Sequence, residues 1–318
     1  MKIFTVGCGR WGTFISWYLD SIGHDVTLYG REWDVAMQTL INTRTNGLVT
    51  LSDTMKLSTR LEDMCEADVV VISIGSQGLS AFMETVEALG LKNKTFVLCM
   101  KGIEIGTGKR LSEIVTEHLD DSCNVAVWIG PGHVQEFTKG RPNCMVIDSV
   151  SDSVKRTLVD AFSSNLIRFY YGTDLIGNEV GAAAKNVIGI AAGILDGLGL
   201  TSLKGALMAR APREISRLVE CMGGDPVSVY GLCHLGDYEA TVFSAHSHNR
   251  RFGECLVTGG EAGGLAEGYY TAKALVELGE RYNIELPICR AVYSVLYLGA
   301  DVKSEMDALF ARSLKYEF

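Results

Sequence analysis

Short apolar runs alternate with longer amphipathic segments through the first half of the chain. Residues 1–6, 25–29, 67–74, 95–100, 124–129, 144–148 and 166–171 are rich in β-branched and aromatic side chains and predict strands. Residues 10–22, 33–43, 79–89 and 109–118 predict helices, and residues 47–58 predict a loop or small hairpin. Strands that alternate with helices form parallel sheets covered on both faces, so this half is predicted to be an α/β, Rossmann-type doubly wound sheet.

The pattern changes near residue 172. From Leu175 onward helical periodicity dominates, and residues 181–193 are so rich in Gly and Ala that they predict a central helix with others packed close against it. We therefore expect a dinucleotide-binding domain over residues 1–172 and an all-α domain over residues 173–318.

Composition and charge narrow the class of protein. The 318 residues are 47% hydrophobic and 21% charged, which is typical of a soluble globular protein. The net charge of −9 argues against nucleic acid or an anionic membrane as a partner, and no apolar run approaches the length of a membrane span. A predicted strand at residue 2 leaves no room for a signal peptide, and the nine cysteines form no C-x-x-C pair. We expect a cytoplasmic enzyme with no metal site and no stable membrane insertion.

Residues 7–12 read Gly-Cys-Gly-Arg-Trp-Gly, a complete G-x-G-x-x-G between a predicted strand and a predicted helix. In this context Gly7 allows the tight turn, Gly9 lets the backbone approach a pyrophosphate, and Gly12 lets the helix pack on the strand. The helix N-terminus offers N–H groups and a positive dipole end to the phosphates. The motif, with Arg10 and Trp11, predicts a dinucleotide site.

The end of the second predicted strand leaves the choice of dinucleotide open. Gly30 gives space there, and Arg31 can pair with the 2′-phosphate of NADP. Glu32 can instead supply the acid that binds the ribose 2′-hydroxyl of NAD, in which case Arg31 is a solvated surface charge. The cofactor is therefore NAD or NADP.

Two lysines stand at chemically informative positions. Lys101 follows a predicted strand at its C-terminal end, where ligands collect in doubly wound sheets. Lys185 lies within the small-residue helix and is followed by Asn186. Burial, or a second ammonium nearby, would lower the pKa of Lys185 and make it a proton donor and acceptor near neutrality.

A polar cluster follows in residues 231–253. This short Gly-bounded stretch gathers Asp237, Thr241, His248, Asn249, Arg250 and Arg251. Its amide, hydroxyl and guanidinium donors favour a phosphate site. The alternative is a metal site through His246 and His248, but two close histidines and one aspartate are few ligands for a metal ion.

Together these clusters resemble the NAD(P)-dependent glycerol-3-phosphate dehydrogenase family. The resemblance rests on the Gly-rich turn with Trp11, Lys-Gly-Ile-Glu at 101–104, Gly-Pro at 130–131, Glu-Val-Gly-Ala-Ala-Ala-Lys-Asn-Val-Ile at 179–188 and Asn-Arg-Arg-Phe-Gly at 249–253. It implies an all-α second domain like that of 6-phosphogluconate dehydrogenase, and a homodimer. It further implies hydride transfer between the nicotinamide and C2 of a three-carbon phosphate, interconverting dihydroxyacetone phosphate and sn-glycerol 3-phosphate for phospholipid synthesis.

The resemblance also implies roles for individual residues. Lys185 corresponds to the catalytic acid/base, and Lys101 to the residue that holds substrate and orients the reacting oxygen; Asp237 is expected to assist them. The substrate is expected to contact Lys101, Asn186, Asp237, Thr241, Ser247, His248 and Asn249. The cofactor is expected to contact Gly7, Gly9, Arg10, Trp11, Gly12, Arg31, Lys101, Gly130, Val134, Arg250 and Glu267.

Three positions depart from the family pattern. Gly132 replaces a serine near the cofactor, His248 replaces the arginine that binds phosphate, and Thr-Ser-Leu-Lys at 201–204 stands in place of an Asp-Asn element. A histidine is largely neutral at pH 7 and cannot bind phosphate bidentately. The alternative function is therefore a paralogous dehydrogenase of another small phosphorylated or anionic 2-hydroxy compound.

Overall fold

The computed structural model describes residues 1–261, 263–264, 266–313 and 316. Contacts divide the chain into two units: Met1–Lys101 with Lys109–Glu179, and Gly102–Gly108 with the chain from Val180 onward. The main division thus follows Glu179, whereas the sequence places it near residue 172.

The first unit contains an eight-stranded sheet. Its strands are β1 (Lys2–Val6), β2 (Asp25–Tyr29), β3 (Lys56–Ser58), β4 (Val69–Ile72), β5 (Thr95–Leu98), β6 (Asn124–Ile129), β7 (Asn143–Ser149) and β8 (Ile167–Tyr171). They lie in the order β3-β2-β1-β4-β5-β6-β7-β8. The predicted doubly wound sheet is confirmed, but it is not wholly parallel, since β7 runs antiparallel to β6, pairing Ala126 with Ser149.

Six α-helices lie wholly within the described part of the first unit, besides the 3-10 helices Leu61–Glu66 and Ser76–Gly78. They are α1 (Arg10–Ser21), α2 (Val35–Thr43), α3 (Leu79–Glu87), α4 (Leu111–Glu117), α5 (Val134–Phe137) and α6 (Asp152–Phe162). The sequence reading missed α6, although Ser151 is an ordinary N-cap whose hydroxyl accepts the Val154 N–H. It also missed β3, which pairs in parallel with β2 inside the segment expected to be a loop or hairpin.

Apolar side chains on both faces of the sheet explain its stability. All four residues of β4 are buried, as expected for a central strand covered on both sides. On one face Phe14, Tyr18, Trp128 and Phe162 form an aromatic cluster, in which the Tyr18 and Trp128 rings meet edge-on at 5.9 Å. Deleting one such ring costs about 3–5 kcal/mol of unfolding free energy.

The second unit is helical, and its described residues include no strand. Its helices are most of α7 (Leu175–Gly197), then α8 (Lys204–Cys221), α9 (His248–Thr258), α10 (Glu267–Arg281), α11 (Pro287–Leu298) and α12 (Val302–Phe310). A single π-helical turn, Glu239–Phe243, precedes α9. Helix α7 is long and apolar enough to cross a membrane, but 78% of its most apolar stretch is buried, as in the core helix of a soluble protein.

Glycines let α7 and α9 approach until their backbones touch. A Cβ added at Gly193 would lie 1.8 Å from the Arg250 carbonyl oxygen, and one added at Gly253 would lie 2.0 Å from the Ile190 carbonyl oxygen. The predicted close packing around the small-residue helix is confirmed. It brings the N-terminal turn of α9 beside the middle of α7.

Candidate active site

The turn between β1 and α1 has the backbone shape of a phosphate cradle. Gly7 has φ +106° and a Cβ there would lie 2.3 Å from the Ser73 carbonyl oxygen, so a side chain is excluded. A Cβ at Gly12 would lie 1.9 Å from the Gly7 carbonyl oxygen. At Gly9, in contrast, a Cβ would meet no described atom within 4 Å apart from its chain neighbours. The approach to the α1 N-terminus is therefore open, as a dinucleotide pyrophosphate requires.

The side chains after this turn differ in exposure. Arg10 is exposed in the first turn of α1. Trp11 is half-buried, with its ring 5.2 Å from Phe14 and 6.4 Å from Phe137. Val134, the first residue of α5, is buried in the core, and its contact with a cofactor stays a prediction.

Lys101 lies where the sequence places it, just beyond β5. Its Nζ donates to the carbonyl oxygen of Gly130 at 2.8 Å. Gly130 follows β6, the parallel neighbour of β5, and has φ +132°. Both residues thus lie at the carboxyl edge of the sheet, where ligands of doubly wound sheets bind.

The first departure from the family pattern has a local packing cause. Gly132 has φ +156°, and a Cβ there would lie 2.4 Å from Cε2 of Phe137. The Phe137 ring occupies the space that a serine side chain would need. A Ser at 132 therefore requires the ring to move.

The end of β2 differs in one respect from expectation. Gly30 does not leave open space, because a Cβ there would lie 2.6 Å from Cys8 Sγ and 2.9 Å from Met37 Cβ. Arg31 is 59% exposed, pairs with Asp34 at 3.0 Å, and lies 5.6 Å from the Trp33 ring centroid. The guanidinium is thus presented at the surface beyond β2, compatible with a 2′-phosphate.

In the second unit, three predicted site residues come together. Lys185 Nζ lies 3.0 Å from Asp237 Oδ2 and donates to Thr241 Oγ1 at 2.8 Å. Side-chain exposure is 12% for the lysine and 1% for the aspartate. The sequence considered burial or a second ammonium beside Lys185, and the structure places a carboxylate in contact with it.

A buried histidine that the sequence reading passed over supports this group. The fully buried His234 is hydrogen-bonded through Nδ1 to the Gly181 carbonyl oxygen at 2.8 Å and through Nε2 to the Tyr238 hydroxyl at 2.7 Å. Desolvation lowers the pKa of His234 to about 4, outweighing the Gly181 hydrogen bond, so the ring is neutral at pH 7. It therefore donates to Gly181 and accepts from Tyr238, which holds the segment around Asp237 on α7. Its apolar surroundings in sequence gave no sign of these partners.

Asn186 and Asn249 are joined directly. The Asn249 amide donates to Asn186 Oδ1 at 3.1 Å, and its own oxygen accepts the Gly268 N–H at 2.9 Å. The contact links α7, α9 and the start of α10. The two side-chain amides are therefore held in a fixed arrangement, which any ligand that binds them would contact.

The N-terminal turn of α9 carries the remaining predicted substrate residues. Ser247, 7% exposed, is the N-cap and accepts the Arg250 N–H at 3.3 Å. His248 is half-buried, with Nδ1 3.3 Å from the Gly263 carbonyl oxygen. Helix N–H groups and an imidazole are therefore presented together, a suitable site for an anion.

Arg250 is engaged within the second unit. Its Nη1 lies 2.6 Å from Asp196 Oδ2 and 3.3 Å from Glu254 Oε2. Glu267, the other cofactor residue expected in this unit, is the first residue of α10. Contacts of Arg250 and Glu267 with a cofactor stay predictions.

Across the described residues, no group of three or more His, Cys, Asp or Glu side chains could hold a metal ion.

Comparison with known proteins gives the family. Residues 2–155 match the model of the NAD-dependent glycerol-3-phosphate dehydrogenase N-terminus, and residues 174–307 match that of its C-terminus. A Prosthecochloris aestuarii protein named glycerol-3-phosphate dehydrogenase [NAD(P)+] is 36% identical over the whole of both chains. A protein of the same name from Thermoanaerobacter is 34% identical over 100% of this chain and 99% of its own. The Coxiella burnetii glycerol-3-phosphate dehydrogenase structure matches with a TM-score of 0.92 and 26% identity, covering 98% of this chain and 99% of that one.

Proposed function

This chain belongs to the NAD-dependent glycerol-3-phosphate dehydrogenase family, and we propose that it interconverts dihydroxyacetone phosphate and sn-glycerol 3-phosphate using NAD(H) or NADP(H). The observation that carries the proposal is the Lys185 amine held between Asp237 and Thr241. That arrangement fixes a proton donor at one place, which carbonyl reduction needs.

The residues of the β1–α1 turn fit a dinucleotide. Gly7, Gly9 and Gly12 would hold its pyrophosphate at the α1 N-terminus, and Arg31 would pair with a 2′-phosphate where one is present. When bound, the nicotinamide supplies or accepts the hydride.

Lys185 moves the proton. In the reductive direction its ammonium donates a proton to the C2 oxygen of the substrate, and in the oxidative direction the neutral amine takes the proton back. Asp237 stabilises the ammonium and Thr241 orients it, since both lie within 3.0 Å of Nζ. We assign Lys101 the second substrate contact, holding the reacting oxygen.

The phosphate is assigned to the start of α9. His248 and Asn249 lie in its first turn behind the Ser247 cap, where the helix dipole favours an anion. With His248 in place of the family's arginine, part of the phosphate affinity depends on protonation of an imidazole.

We further propose that the enzyme is a cytoplasmic homodimer that supplies a phospholipid precursor. Burial of α7 and nine free cysteines support a soluble protein of a reducing compartment. The dimer and the pathway follow from the family resemblance.

The assay follows NADH and NADPH absorbance with dihydroxyacetone phosphate for wild type and Lys185→Ala. We expect turnover with at least one cofactor and a loss of about 100- to 10,000-fold in kcat in the variant, the range for general acid–base residues. Lys273→Ala, at a lysine of α10 that contacts the Tyr297 ring, is the matched control and should keep its kcat. Wild-type protein that binds NADH or NADPH but reduces no dihydroxyacetone phosphate would refute the assignment and favour another small anionic 2-hydroxy substrate.

A further inference from the structure

A buried lysine and a half-buried arginine share one carboxylate near the C-terminal end of α7. Lys204 Nζ and Arg250 Nη1 each lie 2.6 Å from the same Asp196 oxygen, Oδ2. The three side chains are 5%, 14% and 13% exposed, respectively for Lys204, Arg250 and Asp196. Burial by itself raises the pKa of Asp196, but hydrogen bonds from Lys204 and Arg250 outweigh it and hold that pKa below its usual value. The carboxylate is therefore ionised and holds both cations in place.

Both cations also donate to backbone carbonyl groups of one short segment. Lys204 Nζ donates to the Val242 oxygen at 3.0 Å, and Arg250 Nε donates to the Ser244 oxygen at 3.1 Å. These carbonyls lie at the end of the π-helical turn Glu239–Phe243. Buried carbonyl groups left without partners are costly, and π-helical turns are rare and concentrate at functional sites.

This turn carries Thr241, whose hydroxyl accepts from Lys185 at 2.8 Å. Asp196 lies eleven residues after Lys185 on α7, which is about three turns, so both side chains project from the same face of the helix. The turn is therefore tied to α7 at two points. One is the Lys185–Thr241 contact, and the other is the Val242 carbonyl bound through Lys204 to Asp196.

We propose that Lys204 is a positioning residue for the dehydrogenase reaction, which acts through the Val242 carbonyl to hold the Thr241 hydroxyl on the Lys185 ammonium. Arg250 supports the same turn through Ser244. The proposal rests on the proposed function of Lys185. A methionine at 204 fills a similar volume but leaves the Val242 carbonyl and one hydrogen bond of Asp196 unmet, so the turn shifts. A shift of about 1 Å at such a site can cost up to about 100-fold in rate.

The first experiment compares Lys204→Met with Lys204→Arg. We expect kcat of the methionine variant to fall about 10- to 100-fold, with KM for dihydroxyacetone phosphate changed by less than about 3-fold, and most of kcat to return in the arginine variant. Lys155→Met is the matched control, because Lys155 is also a buried lysine that donates to a carbonyl, that of Gly172 at 2.6 Å in the first unit. It should lower stability and leave kcat of the folded enzyme unchanged. Equal loss of kcat in both methionine variants would overturn the proposal.

A double variant tests whether Lys204 acts through Thr241. Thr241→Val removes the hydroxyl, after which Lys204→Met should lower kcat by no more than about 2-fold further, because the two changes break one path. Losses that multiply would overturn the proposal.

Hydrogen exchange supplies a readout without turnover. In the ligand-free protein, backbone amides of residues 239–246 should exchange at least about 10-fold faster in Lys204→Met than in wild type, and at the wild-type rate in Lys204→Arg. Unchanged exchange in Lys204→Met would overturn the positioning role. Failure of the proposed function is seen separately, as wild-type protein that does not reduce dihydroxyacetone phosphate.

Discussion

Acidification should destabilise the second unit through His234. Its folded-state pKa is about 4, against 6.5 for an ordinary histidine, because burial penalises the charged ring. The unfolded chain therefore takes up the proton first, and the free energy of unfolding falls as pH decreases through the interval between those values. Above pH 6.5 the contribution is fully present. The slope is about 1.4 kcal/mol per pH unit, which gives a loss of about 2 kcal/mol between pH 7 and pH 5.

Urea unfolding of wild type and His234→Gln at pH 5, 6 and 7 isolates the contribution of His234 to the free energy of unfolding, since the other groups titrate alike in both proteins. The variant should be less stable at pH 7, having lost the hydrogen bonds to Gly181 and Tyr238, but the difference should shrink by about 2 kcal/mol by pH 5. His246→Gln, at an exposed histidine of the same unit, shows whether any histidine has this effect. The reasoning would be refuted if wild type and His234→Gln differed by the same free energy of unfolding at pH 5, 6 and 7.

Three further changes test other parts of the structure. In wild type, the KM for dihydroxyacetone phosphate should rise as the pH climbs above about 6. His248→Arg should abolish that rise and lower this KM several-fold at pH 8, and identical profiles of KM against pH in the two proteins would contradict this. Gly193→Ala drives a Cβ into the backbone of α9 and should cost about 1–3 kcal/mol in urea unfolding, whereas Gly205→Ala, which meets nothing within 4 Å in α8, should cost nothing. Arg31→Ala should raise KM for NADPH at least about 10-fold more than KM for NADH, and equal changes would exclude Arg31 from the 2′-phosphate site.

Local patterns predicted much of this structure. The strand, G-x-G-x-x-G turn and helix at residues 1–22 follow from side-chain period and glycine geometry, both of which are set by near neighbours in sequence. All seven strands expected from apolar runs are present. The failures have different causes: α6 was missed although its Ser151 N-cap is a local signal, β3 is too short to show a pattern, and the antiparallel course of β7 depends on which strand it pairs with.

In the candidate site, too, some residues could be predicted from the sequence and their contacts could not. Lys185 and Asp237 stand out in sequence as charged residues in apolar or Gly-rich surroundings, and the structure pairs them. His234 contacts Gly181, 53 residues away, and Arg250 contacts Asp196, 54 residues away, while Lys204 joins Asp196 from eight residues along the chain, beyond the end of α7. Such contacts have no periodicity, so they could not be read from the chain.

One face of α7 connects the sequence pattern with the candidate site. Gly181, Lys185, Gly189, Gly193 and Gly197 recur every four residues, and positions four apart lie along one face of a helix. Lys185 thus interrupts a row of glycines with a long charged side chain. The sequence contains this row in full, although its meaning depends on what packs against it.

The neighbours of this face advance along the chain in the same direction as α7. Lys185 contacts Asp237 and Thr241. The atoms nearest to a Cβ added at each glycine belong to Cys233 and His234 at Gly181, to Thr241 and Asn249 at Gly189, to Arg250 and Glu254 at Gly193, and to Val257 and Glu254 at Gly197. Glycine brings the backbone of residues 233–257 onto the helix above and below Lys185, so that its ammonium meets side chains already held in place. A larger residue at Gly193 would meet the Arg250 carbonyl oxygen at 1.8 Å and would push that part of the segment away from α7. The small-residue pattern and the candidate acid/base are therefore parts of one arrangement, in which close helix packing fixes the surroundings of Lys185.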